Sequence, residues 1–141
     1  MTNIETSPYG NNLEEARIFL NSAEIDGWLT RDYRYTNPVF EAALGLHIGN
    51  LTRPVWLWIP ANGAPSILAH EVDTGRFPQG PIALVAYGSR NQMVEALRQI
   101  LNGVKTVAME YSPLYELPRV GRVDAGTIEL VRSLGTDVVS S

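Results

Sequence analysis

The chain has 141 residues, 45% of them apolar and 18% charged, with a formal net charge of −4 and no cysteine. That length suits a single domain over 1–141 whose core buries roughly two-thirds of the unfolded surface, and the composition is that of a folded chain. The acidic balance offers no electrostatic footing on nucleic acid or an anionic membrane; the lack of cysteine excludes disulfides, thiolate metal sites and a cysteine nucleophile, in keeping with a cytoplasmic protein.

The opening MTNIETSPYGNN has no basic region ahead of an apolar stretch, so it does not read as a signal peptide, and no apolar run approaches the ~20 residues of a membrane span. A first helix is expected from Asn12, with Asn12 and Glu15 spaced as a capping box and Leu13, Ala16, Phe19, Leu20 and Ala23 on one face. IDGWLT follows as a strand, then the polar loop RDYRYTN, then a short helix PVFEAALGL with Pro38 in its first turn. RPVWLWIP reads as a strand with Val55, Leu57 and Ile59 on one side and Trp56 and Trp58 on the other. Both sides are apolar, which predicts a sheet covered on both faces.

ANGAP supplies a turn and SILAHEV the hairpin partner. After the connector TGRFPQGP, IALVAY is a near-continuous apolar run of the central-strand type. Ser89 to Asn102 carries the strongest helix signals. Ser89 and Gln92 match a capping box, Met93, Leu97, Ile100 and Leu101 form a stripe, and Gly103 stands at the stop. VKTVAMEY then returns as a strand, making a βαβ crossover with IALVAY. Asp124 caps a last helix with Ile128, Val131 and Leu134 inward and Gly135 at its end, and DVVSS is a final strand. The fold class is α/β, a mixed β-sheet flanked by helices.

The chemistry-bearing residues are scattered. His47 and His70 fall in different elements with no metal-ligand spacing, and read as surface and strand-end residues. There is no G-x-S-x-G elbow and no Gly-rich phosphate loop; Ser89 already has a capping role. Asp26, Asp32, Asp73, Glu110 and Asp124 would need the fold to converge them before they could hold Mg²⁺ or Mn²⁺. Asp124 is better explained as a cap, and Asp26 and Asp32 as strand-boundary residues. The densest polar stretch is TRDYRYTNPVF, between a strand and a helix, where an arginine suits a carboxylate ligand through paired hydrogen bonds. The competing reading is a solvated loop in which Arg34 pairs with Asp32.

VAMEYSP followed by LPRVGRVDAGTIELVRSLGTDVVSS resembles the segment that closes the N-terminal domain of Xaa-Pro dipeptidase-like proteins, relatives of prolidase, aminopeptidase P and creatinase in the pita-bread metallopeptidase superfamily. DYRYTNPVF and RPVWLWIPANGAPSILAH resemble the same domain in the same order. The resemblance implies a creatinase/prolidase N-terminal domain with ribonuclease-H-like topology and no catalytic residues. It also implies a C-terminal pita-bread domain after residue 141, where two aspartates, a histidine and two glutamates hold two divalent metals. No cofactor is expected in this segment, because no stretch matches those ligand motifs.

The implied partners are the chain's own catalytic domain, a second copy in a homodimer, and a peptide or amino-acid-like substrate capped by this domain. Arg34 is the expected substrate contact, with Tyr33 and Asn37 in support. Leu114, Tyr115, Leu117 and Val120 are candidates for an apolar docking patch, the alternative being that they fold back onto the core. Two other functions stay open: a stand-alone small-ligand-binding or interaction module, and a self-sufficient metal-dependent hydrolase using Asp26 or Asp32.

Overall fold

The structure, a computed structural model, describes residues 12–49, 51–78, 80 and 82–141. The reading of residues 1–11, and of positions 79 and 81 in the connector, lies outside the described residues.

In chain order the elements are α1 (Asn12–Ala23), β1 (Gly27–Asp32), α2 (Pro38–Leu44), β2 (Val55–Pro60), β3 (Ser66–His70), β4 (Ala83–Tyr87), α3 (Arg90–Ile100), β5 (Thr106–Met109), α4 (Ala125–Ser133) and β6 (Asp137–Ser140). Among the described residues the six strands form one mixed sheet in the order β4-β3-β2-β1-β5-β6. β1, β2 and β3 pair antiparallel, while β3–β4, β1–β5 and β5–β6 are parallel. The crossover through α3 therefore joins two parallel strands that are not neighbours, with β3, β2 and β1 between them.

The alternation of RPVWLWIP sorts the core into two layers, as its two apolar sides predict. Val55, Leu57 and Ile59 pack with Leu20 of α1 and Phe40, Ala43 and Leu44 of α2. Trp56 and Trp58 face the opposite way, with Leu29, Met93 and Leu97 of α3 and Val131 of α4. A Cβ on Gly27 would lie 2.1 Å from Cη2 of Trp58, so only a glycine lets that indole lie across β1. Short helices stop where their sequence says. Asn37 caps α2 by accepting from the Val39 amide, and Gly45, at φ 75°, donates its N–H back to the Glu41 carbonyl. Ser89 and Asp124 cap α3 and α4 through Gln92 and Thr127.

Two expectations are corrected. IALVAY forms β4 at the edge of the sheet, not its centre, with Ala83, Leu84 and Ala86 exposed. Leu84 pairs with Ile67, on the face packed by α1 and α2, whose main strand contacts fall on β1 and β2. Phe19 is not in the core but half exposed, and only Leu20 of α1 is fully buried. Asn12 is the first helical residue and its side-chain amide donates to the Ala42 carbonyl at 2.5 Å, tying α1 to α2. With α1 placed over the middle of the sheet, the same face is left open above β5.

Candidate functional site

The loop after β1 is built around one carboxylate. Asp32, 4% exposed, accepts the backbone N–H of Asn37 at 2.8 Å and of Tyr35 at 3.2 Å. Arg34 and Tyr35 sit at φ 54° and 64°, and the Thr36 N–H returns to the Tyr33 carbonyl at 3.2 Å, which is a type I′ turn. Two left-handed non-glycine residues in succession are strained, and Asp32 holds them there. Asp32 is spent on that turn and does not pair with Arg34.

The three residues expected to meet substrate part company here. Arg34 and Tyr33 project from the exposed tip of the turn, and no ion pair among the described residues involves Arg34. Asn37 turns inward and is 3% exposed. Its amide nitrogen shares two hydrogens among Glu110 Oε1 (2.8 Å), the Arg31 carbonyl (2.9 Å) and Thr30 Oγ1 (3.1 Å). Tyr35 stacks on His47 at 5.9 Å; desolvation, then the Glu41 and Asp32 carboxylates, pushes its phenol above the ordinary value.

Glu110, just after β5, is the other pole of this network. Its carboxylate is 4% exposed and accepts from Trp28 Nε1 (2.6 Å), Thr30 Oγ1 (2.6 Å) and Asn37 Nδ2. Its backbone carbonyl accepts from the Arg122 and Val123 amides, which anchors the far end of the 112–122 loop. Sequence reasoning places Glu110 only among scattered carboxylates. The available signals are a charged residue closing an apolar strand and an Asn-Pro pair opening a helix.

The remaining carboxylates each serve a separate turn. Asp26 accepts the Lys105 and Thr106 amides, Asp73 accepts the Thr52 amide, and Asp124 caps α4 while meeting Arg31 at 2.8 Å. Partial burial works to raise the Asp124 carboxyl, but the Thr127 hydrogen bonds and the Arg31 guanidinium outweigh it and hold it below the ordinary value. Among the described residues no group of three or more His, Asp or Glu is placed to hold a metal ion. His70 ends β3 edge-on to Tyr87, its Nδ1 accepting the Val72 amide, and His47 is a surface residue beside Glu41.

The 112–122 loop holds its apolar side chains outward. Leu114 is 93%, Tyr115 76% and Leu117 65% exposed, and Val120 is partly so. Leu114 and Tyr115 occupy left-handed conformations in a second strained turn. Between α1, α2, β5 and Val120 lies a cavity of about 570 Å³ with Glu110 in its wall. No helix among the described residues is long and apolar enough to cross a membrane.

No family model and no curated protein matches the sequence. Solved structures do. A proline dipeptidase from Streptococcus agalactiae aligns over 93% of this chain and 92% of its own, with TM-score 0.70 and 13% identity. An X-Pro aminopeptidase from Thermotoga maritima aligns over 91% of this chain but 33% of its own, with TM-score 0.66 and 12% identity. The creatinase/prolidase N-terminal domain of an X-Pro dipeptidase from Streptococcus pyogenes aligns over 94% of this chain and 100% of its own, with TM-score 0.61 and 14% identity. The chain thus spans about a third of the Thermotoga enzyme. In architecture it has the fold of a creatinase/prolidase N-terminal domain.

Proposed function

We propose that this chain acts as the non-catalytic N-terminal domain of an Xaa-Pro-peptidase-type metallohydrolase, whose two divalent metals are held by a separate C-terminal domain. The supporting observation is the alignment of nearly the whole chain with one third of an X-Pro aminopeptidase. In this reading the domain packs in a homodimer and overhangs a peptide-binding site. The Tyr33–Thr36 turn presents the guanidinium of Arg34 to a substrate carboxylate, with Tyr33 beside it. Asn37 contributes by holding the turn rather than by contact, since its amide is used internally. Leu114, Tyr115 and Leu117 form the surface on which the catalytic domain docks.

The test is to read the frame past Ser141 and express the longer product with Mn²⁺. It is expected to hydrolyse X-Pro dipeptides, and Arg34→Ala is expected to raise KM about tenfold while changing kcat less. A stop codon directly after Ser141, or metal-dependent turnover by the 141 residues alone, defeats the proposal. A stand-alone binding module using the same turn is the second reading, favoured by the exposure of Arg34 outside every described ion pair. Saturable, Arg34-dependent binding of X-Pro dipeptides by the isolated chain would select it.

A further inference from the structure

We propose that the groove above β5 is a binding site for a small apolar ammonium compound, with the cation seated on Glu110. This goes beyond the peptidase reading and does not rest on it.

The charge argument comes first. Glu110 is only 4% exposed, yet all three of its side-chain donors are neutral groups. None of the ion pairs among the described residues includes it. A carboxylate offers about four lone-pair positions, and three are used here. Oε1 takes two of those bonds and Oε2 only the one from Trp28, so the spare acceptor is on Oε2. A buried carboxylate without a cation is costly, and a ligand ammonium is the group that completes it.

The other charged groups on the cavity wall are Glu15, Arg119 and, in the 141-residue chain, the terminal carboxylate of Ser141, all on exposed residues and so screened by water. None replaces a cation inside the groove. The shape argument concerns the rest of the ligand. At about 570 Å³ the cavity falls in the range of small-molecule sites, and its wall is apolar, with Phe19, Leu20, Trp28, Ala43 and Ala108 around the carboxylate. Alanines at 43 and 108 leave the space, and the half-exposed ring of Phe19 offers an aromatic face. An aromatic or branched aliphatic amine meets both requirements. A neutral apolar compound would leave the carboxylate without its cation, and a strongly polar cation would leave the walls unused.

The experiment titrates phenethylamine hydrochloride into the 141-residue chain, reading tryptophan fluorescence and backbone amide chemical shifts. Saturable binding is expected, with shifts at Ala43 and Ala108. Phenethyl alcohol, of the same shape without the charge, is expected to bind roughly tenfold to a hundredfold more weakly. Glu110→Gln is expected to erase that difference. Because this change touches a buried network, Ala42→Trp gives a second arm: Ala42 is exposed on α2 at the cavity wall, so a tryptophan there blocks entry without disturbing the core. Equal affinity for amine and alcohol, no saturable binding, or shifts elsewhere in the molecule overturns the proposal. So does a dimer, seen by sedimentation, that buries the same wall residues and is unaffected by the amine.

Discussion

Asn37 Nδ2 donates to Glu110 Oε1 at 2.8 Å across a separation of 73 residues, joining the cap of α2 to the end of β5. One side chain thereby does two things: its oxygen starts a helix, and its nitrogen solvates a buried carboxylate. Asn37→Ala should lose the cap, about 1 kcal/mol, and a hydrogen bond to a charged group, about 1.5–3 kcal/mol. Urea denaturation is expected to show a loss of roughly 2.5–4 kcal/mol with an unchanged m-value. Asn37→Asp keeps the cap but sets a second carboxylate against Glu110. It should be less stable than the alanine variant at neutral pH and regain stability on acidification.

Arg34 offers a way to separate the turn from whatever the turn presents. At φ 54° it is strained, exposed and outside every described ion pair. Arg34→Gly should therefore stabilise the chain by up to about 1 kcal/mol, because glycine adopts that conformation freely. The same variant removes the guanidinium. A thermal midpoint that falls rather than rises would show that the Arg34 side chain holds the fold.

Two groups should set opposite ends of the pH–stability curve. Tyr87 is 4% exposed, donates to the Pro54 carbonyl at 2.5 Å, and is pushed up to about 12 by burial and then by Asp73. Its folded value lies above its ordinary value of 10.0, so its contribution is complete below pH 10 and is lost as pH rises through about 12. Asp124 is held below its ordinary value of 3.8, so its contribution is present above that pH and disappears as pH falls through the depressed value. Urea midpoints followed against pH should lose the alkaline fall in Tyr87→Phe and part of the acid fall in Asp124→Asn. Unchanged limbs in these variants would assign the titrations to other groups.

Much of the fold is legible residue by residue. The alternation in RPVWLWIP correctly forecasts two covered faces, and Ser89 and Asp124 sit where caps are expected. These signals are local, since a period of two or a hydroxyl three residues ahead of an amide acts within a few positions of itself. The place of IALVAY in the sheet is different in kind. Its apolar run is compatible with centre or edge, and its pairing, with β3 as its one neighbour among the described strands, puts it at the edge.

The site divides along the same line. Local composition singles out the 31–37 loop and proposes Arg34, Tyr33 and Asn37, but not which of them point outward. Likewise, the exposure of Leu114, Tyr115 and Leu117 is an even choice on sequence and is decided by a turn with two left-handed residues.

The amino-acid sequence by itself signals the α/β pattern, the caps of α3 and α4 and the absence of a thiol. It does so because propensity, periodicity and capping are short-range. Tertiary structure alone decides that Glu110 is buried against Trp28, Thr30 and Asn37, that Asn37 faces inward, and that a groove stays open beside them. Those facts depend on contacts between residues 73 to 82 positions apart, and no local pattern encodes which distant donor a carboxylate will meet.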